Sequence, residues 1–230
     1  SINPLSKLEV VISANDFGGG KQTTTKSGLE TLNTLSGIKV QSEEIAWITG
    51  SDVNFCAQAF PTVAFDHPDA PILTVLGAVL RNGFLHSAIR EKGGAYGSGA
   101  QQDSASRSFR FFSYRDPNCG ETFNAFNSSI EWSLKSINAE KLEEGILGVI
   151  SSIDKPGSPA GEARADFNQN IRGIDQSKRR RFRGRVIDCT VERLVEVSQK
   201  YLTGIPKRAV ISGKQFEKEI NTLGFSIHNV

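Results

Sequence analysis

The chain has 230 residues, of which 38% are hydrophobic and 23% charged, and its formal net charge is +2. This length and balance are typical of a globular protein of one large or two small domains, and they give no general case for nucleic-acid or membrane partners. No uninterrupted apolar run is expected to span a bilayer, and no signal peptide precedes the first predicted element. We therefore expect a location in the cytoplasm of a bacterium or inside an organelle, not secretion.

The first half of the chain predicts strands followed by one long helix. Weak alternation favours a strand over 7–14, a glycine loop follows at 18–20, a short helix is predicted over 23–35, and strands over 44–49 and 53–65 flank a turn at 50–52. The glycine loop lacks the full spacing of a phosphate-binding loop. Asp69 is expected to cap a long helix that runs to Ile89, with apolar residues at helical spacing: Ile72, Leu76, Val79, Leu80 and Phe84.

The second half predicts a hairpin, several helices and a last strand. The hairpin strands are expected over 96–102 and 109–114. Helical patterns follow from Cys119, with stripes at Phe123, Phe126, Ile130 and Leu134, and at Leu142, Ile146, Leu147 and Ile150. Further helices are predicted over 163–171, 176–187, 191–201 and 215–223, with a strand over 207–212. This order predicts an α+β fold, an antiparallel sheet with helices on one face, as a single domain over residues 1–230.

The corner Arg90-Glu-Lys-Gly-Gly-Ala-Tyr-Gly97 joins the long helix to the hairpin. Gly93 or Gly94 can adopt the left-handed conformation that ends a helix. Such a corner presents a guanidinium and a phenol together, and both groups can hold a peptide carbonyl or an oxyanion. The simpler alternative is an ordinary helix cap, with Arg90 solvated and Tyr96 half buried.

The corner does not stand alone. Ser-Tyr-Arg-Asp-Pro-Asn at 113–118, Asp-Lys-Pro-Gly-Ser-Pro at 154–159 and Arg-Arg-Arg at 179–181 accompany it. Together these motifs resemble the C-terminal part of the presequence-protease branch of the pitrilysin/insulinase zinc peptidases (inverzincins), from about Leu73 to Val210. The resemblance implies similar α+β domains in two halves that face each other across a chamber in which unfolded peptides are degraded.

In that family an arginine and a tyrosine reach from the C-terminal half into the zinc site of the other half. The resemblance places these roles on Arg90 and Tyr96, with Gly93 and Gly94 allowing the backbone to approach the substrate. His86 precedes Arg90 by one helical turn, and it is expected to share a helix face with Arg90 and to contact substrate, or to be an ordinary surface histidine.

Zinc binding in the family needs His-x-x-Glu-His, and this chain has only His67, His86 and His228, at unsuitable spacing. We therefore expect zinc in the complete enzyme, held by a zinc-bearing N-terminal half on the same or a separate chain, and none on this chain. Asp66, His67 and Asp69 lie close together, but their turn context favours helix capping. The cysteines, which contain no Cys-x-x-Cys pair, are expected to be free and mostly buried: Cys56, Cys119 and Cys189.

Two remaining motifs have structural alternatives. In 113–118, Pro117 is expected to end a strand, Asp116 or Asn118 to cap the next helix, and Arg115 to pair with a carboxylate. The basic run 178–185 could bind a polyanion, but a solvated or partner-facing helix surface fits the small net charge better, so no nucleic-acid partner is expected. The function indicated is that of a substrate-binding peptidase half, inactive alone; the alternative is a non-catalytic assembly subunit that kept the fold.

Overall fold

The computed structural model describes residues 44–230. The strand predicted over 7–14, the glycine loop at 18–20 and the helix over 23–35 lie outside the described residues. The strands are β1 (Ile45–Thr49), β2 (Phe55–Pro61), β3 (Gly97–Asp103), β4 (Ser108–Tyr114), β5 (Lys207–Gly213) and β6 (Ser226–Asn229). The α-helices are α1 (Asp69–Leu80), α2 (Gly120–Lys135), α3 (Ala139–Ile153), α4 (Pro159–Ile171), α5 (Gln176–Ile187), α6 (Val191–Leu202) and α7 (Glu217–Thr222). A π-helix (Arg81–Lys92) continues α1, and a short 3₁₀ turn (Lys214–Phe216) precedes α7.

The six strands form one mixed sheet in the order β3-β4-β2-β5-β1-β6. The pairs from β3 to β5 are antiparallel, whereas β1 lies parallel to both β5 and β6. The predicted α+β class is confirmed, although the sheet is mixed and not wholly antiparallel. Parallel pairing joins residues far apart in the chain, so the local residue pattern did not indicate it. Strand β6 was not predicted, since four residues show too little alternation.

Alternation along the strands separates a covered face from an open one. Phe109 and Phe111 of β4 are fully buried under the helices, while Arg110 and Tyr114 point to the open face. Large apolar side chains also remain exposed on that open face of neighbouring strands: Trp47, Phe55 and Ile211. The helices α1, α2 and α6 pack on the covered face.

Helix α1 is the centre of the core. Its predicted apolar stripe is buried, with Phe84 in the following π-helix partly covered. Contrary to the sequence expectation, residues 69–92 form one helical run of 24 residues, and an 18-residue window within it, with a mean hydropathy of 1.4, is long and apolar enough to cross a membrane. Half of that apolar window is buried inside the fold, and the sheet and the helices α3, α5 and α6 surround α1. The apolar composition is that of a core helix covered on several sides.

Other boundaries and faces also differ from the predictions. Strand β2 is shorter than the predicted 53–65, because the chain leaves the sheet after Pro61. On α3 the predicted stripe residue Leu147 is exposed, and the helix instead buries Gly145 and Val149. The sequence analysis identified the buried face from large apolar residues only. It therefore did not include Gly145, and it placed the buried face of α3 at the wrong angle around the helix axis.

Asp69 does not cap α1 as predicted. Pro68 is the N-cap residue, and Asp69 lies in the first turn with its carboxylate buried. That carboxylate accepts hydrogen bonds from Arg193 Nη2 at 2.8 Å, Lys200 Nζ at 2.9 Å and Tyr201 Oη at 2.7 Å. One buried charge thus joins the start of α1 to α6.

The environment of Asp69 sets its response to pH. Burial raises the pKa of this carboxyl, but hydrogen bonds from Lys200 and Tyr201 outweigh burial and hold the pKa below its ordinary value of 3.8. A carboxyl whose folded pKa is depressed stabilises the fold above the unfolded pKa, and this stability is lost as the pH falls through the folded pKa.

Asp69→Ala should lower the free energy of unfolding at pH 7 by about 3 kcal/mol, because it leaves cations of α6 without their partner. The deficit should shrink as the pH falls below 3.8, where this carboxyl becomes protonated in the unfolded chain, and it should vanish only below the lower pKa of the folded state. Urea unfolding followed by circular dichroism measures both effects. Asp154→Ala removes an exposed ion pair with Arg183 and should cost far less; equal losses in the two variants would contradict this account.

Candidate functional site

The corner after the long helix is fixed by backbone geometry. Gly94 has φ +79° and is the left-handed residue, while Gly93 keeps a right-handed φ of −81°. The Gly94 N–H donates to Arg90 O at 3.0 Å, and the Ala95 N–H donates to Ile89 O at 3.1 Å. These two bonds satisfy carbonyls of the last helical turn. Since Ile89 and Ala95 are buried, the core anchors both sides of the turn.

The connection between β4 and α2, residues 115–119, supports the corner from below. Asn118 Nδ2 donates to Gly93 O at 2.6 Å, and the Tyr96 N–H donates to Arg115 O at 3.2 Å. Asp116 is fully buried and accepts from the Asn118 N–H at 3.0 Å and from Thr122 Oγ1 at 2.7 Å. Neither Asp116 nor Asn118 caps α2 as predicted, because Cys119 is the N-cap residue and its side chain makes no cap bond; Asp116 instead holds the turn, and the Asn118 side chain binds the corner.

His86, Arg90 and Glu91 form a chain of contacts on the exposed side of the π-helix. Arg90 Nη1 lies 3.2 Å from His86 Nε2, and His86 Nδ1 lies 3.4 Å from Glu91 Oε1. A guanidinium only donates hydrogen bonds, so His86 Nε2 is the acceptor in the contact with Arg90, and Nδ1 faces Glu91. The prediction that His86 and Arg90 share a helix face is confirmed, and the contact with His86 orients the Arg90 guanidinium.

Tyr96 projects into solvent with 64% of its surface exposed. Its ring centroid lies 5.6 Å from that of Tyr114, and the Arg115 guanidinium carbon lies 5.8 Å from the Tyr96 centroid. Arg115 adopts a left-handed φ of +49°. The predicted partner for Arg115 was a carboxylate; its guanidinium lies by the Tyr96 ring instead, because β4 and the corner meet there.

Gly97 allows this aromatic contact. It pairs with Tyr114 across the hairpin, and a methyl group at position 97 would overlap the Tyr114 ring. The ring therefore lies flat over the start of β3, beside Tyr96. Tyr114, Arg115 and Glu91 are contacts of the site that the sequence analysis did not assign to it. Tyr114 and Arg115 belong to the motif at 113–118, which was interpreted as structural only.

The site is an open, cationic corner. The exposed cations Arg90, Lys92 and Arg115 belong to it, while Glu91 contacts His86. Two cavities of about 610 and 700 Å³ lie elsewhere, lined by other residues. Exposed guanidinium and phenol donors on a rigid backbone can bind a carbonyl or oxyanion presented by another surface.

The described residues do not fit a zinc ion. Within 44–230 no group of three histidine, cysteine or acidic side chains could hold a metal. The His67 ring instead accepts from the Asp69 N–H at 3.0 Å through Nδ1, a bond at the start of α1. Cys56 and Cys189 are poor nucleophiles: a hydrogen bond with Cys119 and burial raise the pKa of Cys56, and burial raises the pKa of Cys189 to about 12.

The basic run lies on α5 and is partly neutralised within the chain. Arg183 pairs with Asp154 at 2.6 Å and Arg179 with Asp166 at 3.2 Å. Arg180 and Arg185 are exposed. The run thus forms a solvated helix surface with internal ion pairs.

Comparison with known proteins matches residues 50–207 to the family described as the PreP C-terminal domain. The mitochondrial presequence protease of Danio rerio is 36% identical over 152 residues, which cover 66% of this chain and 14% of that protein. This chain thus spans only a small part of that relative's length.

Three solved structures share the fold at low identity. A protease from Helicobacter pylori has a TM-score of 0.64 and 16% identity, over 84% of this chain and 48% of its own. Pitrilysin has a TM-score of 0.57 and 16% identity, over 82% and 22%. The inactive peptidase domain of a protein from Bordetella parapertussis has a TM-score of 0.58 and 17% identity, over 70% and 93%.

Two glycine substitutions should change stability in opposite directions. Gly94→Ala should lower the free energy of unfolding by about 1–2 kcal/mol, because an L-residue is strained at φ +79°. Gly148→Ala, within α3 and with nothing within 4 Å of the added methyl group, should raise it by about 1 kcal/mol. Chemical unfolding of both variants tests the corner geometry; a neutral Gly94→Ala would show that position 94 is not left-handed.

Proposed function

This chain belongs to the PreP C-terminal domain family, a part of the presequence proteases with the pitrilysin fold, and we propose that it is the substrate-binding half of a zinc metalloendopeptidase. In this proposal the chain supplies Arg90 and Tyr96 to an active site whose zinc is held by another half. The relatives support it, since this chain matches only 14% of the Danio rerio protein's length and the remainder can carry the zinc-binding part.

One observation carries the proposal: the side chains of Arg90 and Tyr96 are exposed, while burial and hydrogen bonds fix the backbone between and beside them. Buried Ile89 and Ala95 hold the backbone, and Asn118 holds the Gly93 carbonyl. An exposed pair of donors on a preorganised backbone loses little freedom when it binds, which is the requirement for stabilising charge in a transition state.

The chain's own residues have separable tasks. Arg90 presents its planar set of N–H donors to a peptide carbonyl next to the scissile bond. Tyr96 donates a hydrogen bond from its phenolic hydroxyl to the oxyanion that develops there. His86 accepts from Arg90 and so orients it, and it lies close enough to contact substrate. Gly93 and Gly94 carry no side chains that would block the approach of the substrate backbone.

Zinc belongs to the family, and in this proposal the other half holds it, since residues 44–230 offer no group of side chains that could hold a metal. The substrates are unfolded peptides, because Arg90 and Tyr96 recognise backbone groups and an extended chain exposes these. Within the proposal, the enzyme is located in a bacterial cytoplasm or an organelle interior, where buried free thiols such as Cys56 stay reduced.

A non-catalytic assembly subunit is the second candidate. The structural neighbour from Bordetella parapertussis is described as an inactive peptidase domain, so the fold alone does not imply catalysis. The two candidates differ at the corner: an assembly subunit needs its shape, whereas a peptidase half needs the donors of Arg90 and Tyr96.

In the complete enzyme, Tyr96→Phe and Arg90→Ala should each lower peptide turnover by about a hundredfold or more, the typical cost of one oxyanion donor. Arg90→Lys should also be slow, because an ammonium lacks the planar donor fork. Turnover of a fluorogenic peptide is measured for variants whose melting temperatures equal that of the parent.

Arg180→Ala is the matched control for Arg90→Ala, since it removes an exposed guanidinium from α5, away from the corner. It should keep a near-parental rate. Near-parental rates for Tyr96→Phe and Arg90→Ala as well would favour the assembly subunit over the peptidase half.

The purified chain alone should bind no stoichiometric zinc and cleave no peptide, because it has no histidine pair at ligand spacing. Elemental analysis and a peptide-cleavage assay on the chain test this. Tightly held zinc together with cleavage that a chelator abolishes would place the catalytic centre on this chain and refute the assignment.

A further inference from the structure

Helix α4 stands apart from the other helices in how it is held. Its sequence encodes its start, since the Ser158 side chain accepts from the Gly161 N–H at 3.2 Å and Pro159 occupies the first turn. Yet none of its 13 residues is buried. Phe167 is 63% exposed and Ile171, one turn further on, is 46% exposed.

Polar contacts hold α4 to the rest of the described chain. Arg179 of α5 donates to Gln169 at 2.6 Å and to Asp166 at 3.2 Å. A cavity of about 700 Å³ is lined by Ala163 on one side of α4, and one of about 610 Å³ is lined by Ile171 and the loop after it. A helix normally buries an apolar stripe. Here that stripe faces outward, and the spaces beside it are open.

We infer that α4 is a docking helix, and that Phe167 and Ile171 pack against the part of the larger peptidase that lies outside these 230 residues. The inference rests on one part of the proposed function, namely that this chain belongs to a larger peptidase. The comparison with relatives supports this part, because the matched residues are only 14% of the length of the Danio rerio protein.

The charges around the stripe indicate the chemistry of the receiving surface. Arg164 of α4 and Arg172 at its C-cap are exposed, while the acidic side chains of the same helix are engaged within the chain: Asp166 accepts from Arg179, and Glu162 accepts from the Gly157 N–H. The surface that receives α4 is therefore expected to have an apolar centre and an acidic rim.

The position of α4 leaves the proposed donors open. The loop after α4 lines the same cavity as Asp103 and Arg107 at the β3–β4 turn, whereas Tyr96 precedes the other end of β3. Seven residues of strand separate these ends by roughly 20 Å. A surface that covers Phe167 can thus hold this domain in place without covering Tyr96.

Photo-crosslinking in the complete peptidase tests the inference. Phe167 is replaced by p-benzoylphenylalanine, the enzyme is irradiated, and the crosslinked peptides are identified by mass spectrometry. Crosslinks to residues outside this 230-residue chain are expected. Crosslinks confined to residues 1–230, crosslinks to a second copy, or none at all would each overturn the inference.

Leu147 is the matched control, since it is 59% exposed on α3 but has no exposed apolar side chain one turn away and so forms no stripe; the same replacement there should give no such crosslinks. Phe167→Asp in the complete enzyme should speed amide exchange in residues 159–171, and unchanged exchange would also contradict docking. Failure of the proposed function is separate: if Tyr96→Phe keeps full turnover while the position-167 crosslinks remain, only the catalytic assignment fails.

Discussion

The fold depends on covering helix α1. Its residues are apolar on most sides, so no single partner layer can remove it from water. Strand β3 lies against one side, and α3, α5 and α6 pack on the others. The buried carboxylate of Asp69 fixes the start of α1 to α6 through three hydrogen bonds. The helices α3, α5 and α6 each contribute a face that covers α1.

The candidate site inherits its rigidity from the end of the same helix. Leu85 and Ile89 are the buried residues of the π-helix, and Ala95 returns the chain to the core. Between them the chain turns through Gly94 and presents Arg90 and Tyr96 outward. Exposed side chains on anchored backbone combine access with fixed position. The open face of the sheet continues this surface, because Tyr114 lies beside Tyr96.

The parts of the fold that depend on local pattern were predictable. The central helix, the hairpin and the left-handed glycine at 93 or 94 follow from spacing and turn chemistry, and the contact of His86 with Arg90 follows from one helical turn. The parallel pairing of β1, the interaction of Asp69 with α6 and the approach of Arg115 to Tyr96 did not follow. Each of these joins segments that only tertiary packing brings together. The catalytic roles of Arg90 and Tyr96 stay predictions.

Strand β1 lies between β5 and β6, and its first residue pairs with Ala209 and Ser226. On a ribosome that adds residues from the N-terminus at about 5–20 per second, β1 is made roughly 10–30 s before either neighbour exists. During that interval neither edge of β1 has its partner strand, and the apolar side chains of Trp47 and Ile48 lack the neighbours that β5 and β6 provide. Completion of the sheet is therefore a late event in synthesis. In a chain interrupted before Lys207, the unpaired backbone groups of β1 can bind molecular chaperones or pair with other chains in aggregates.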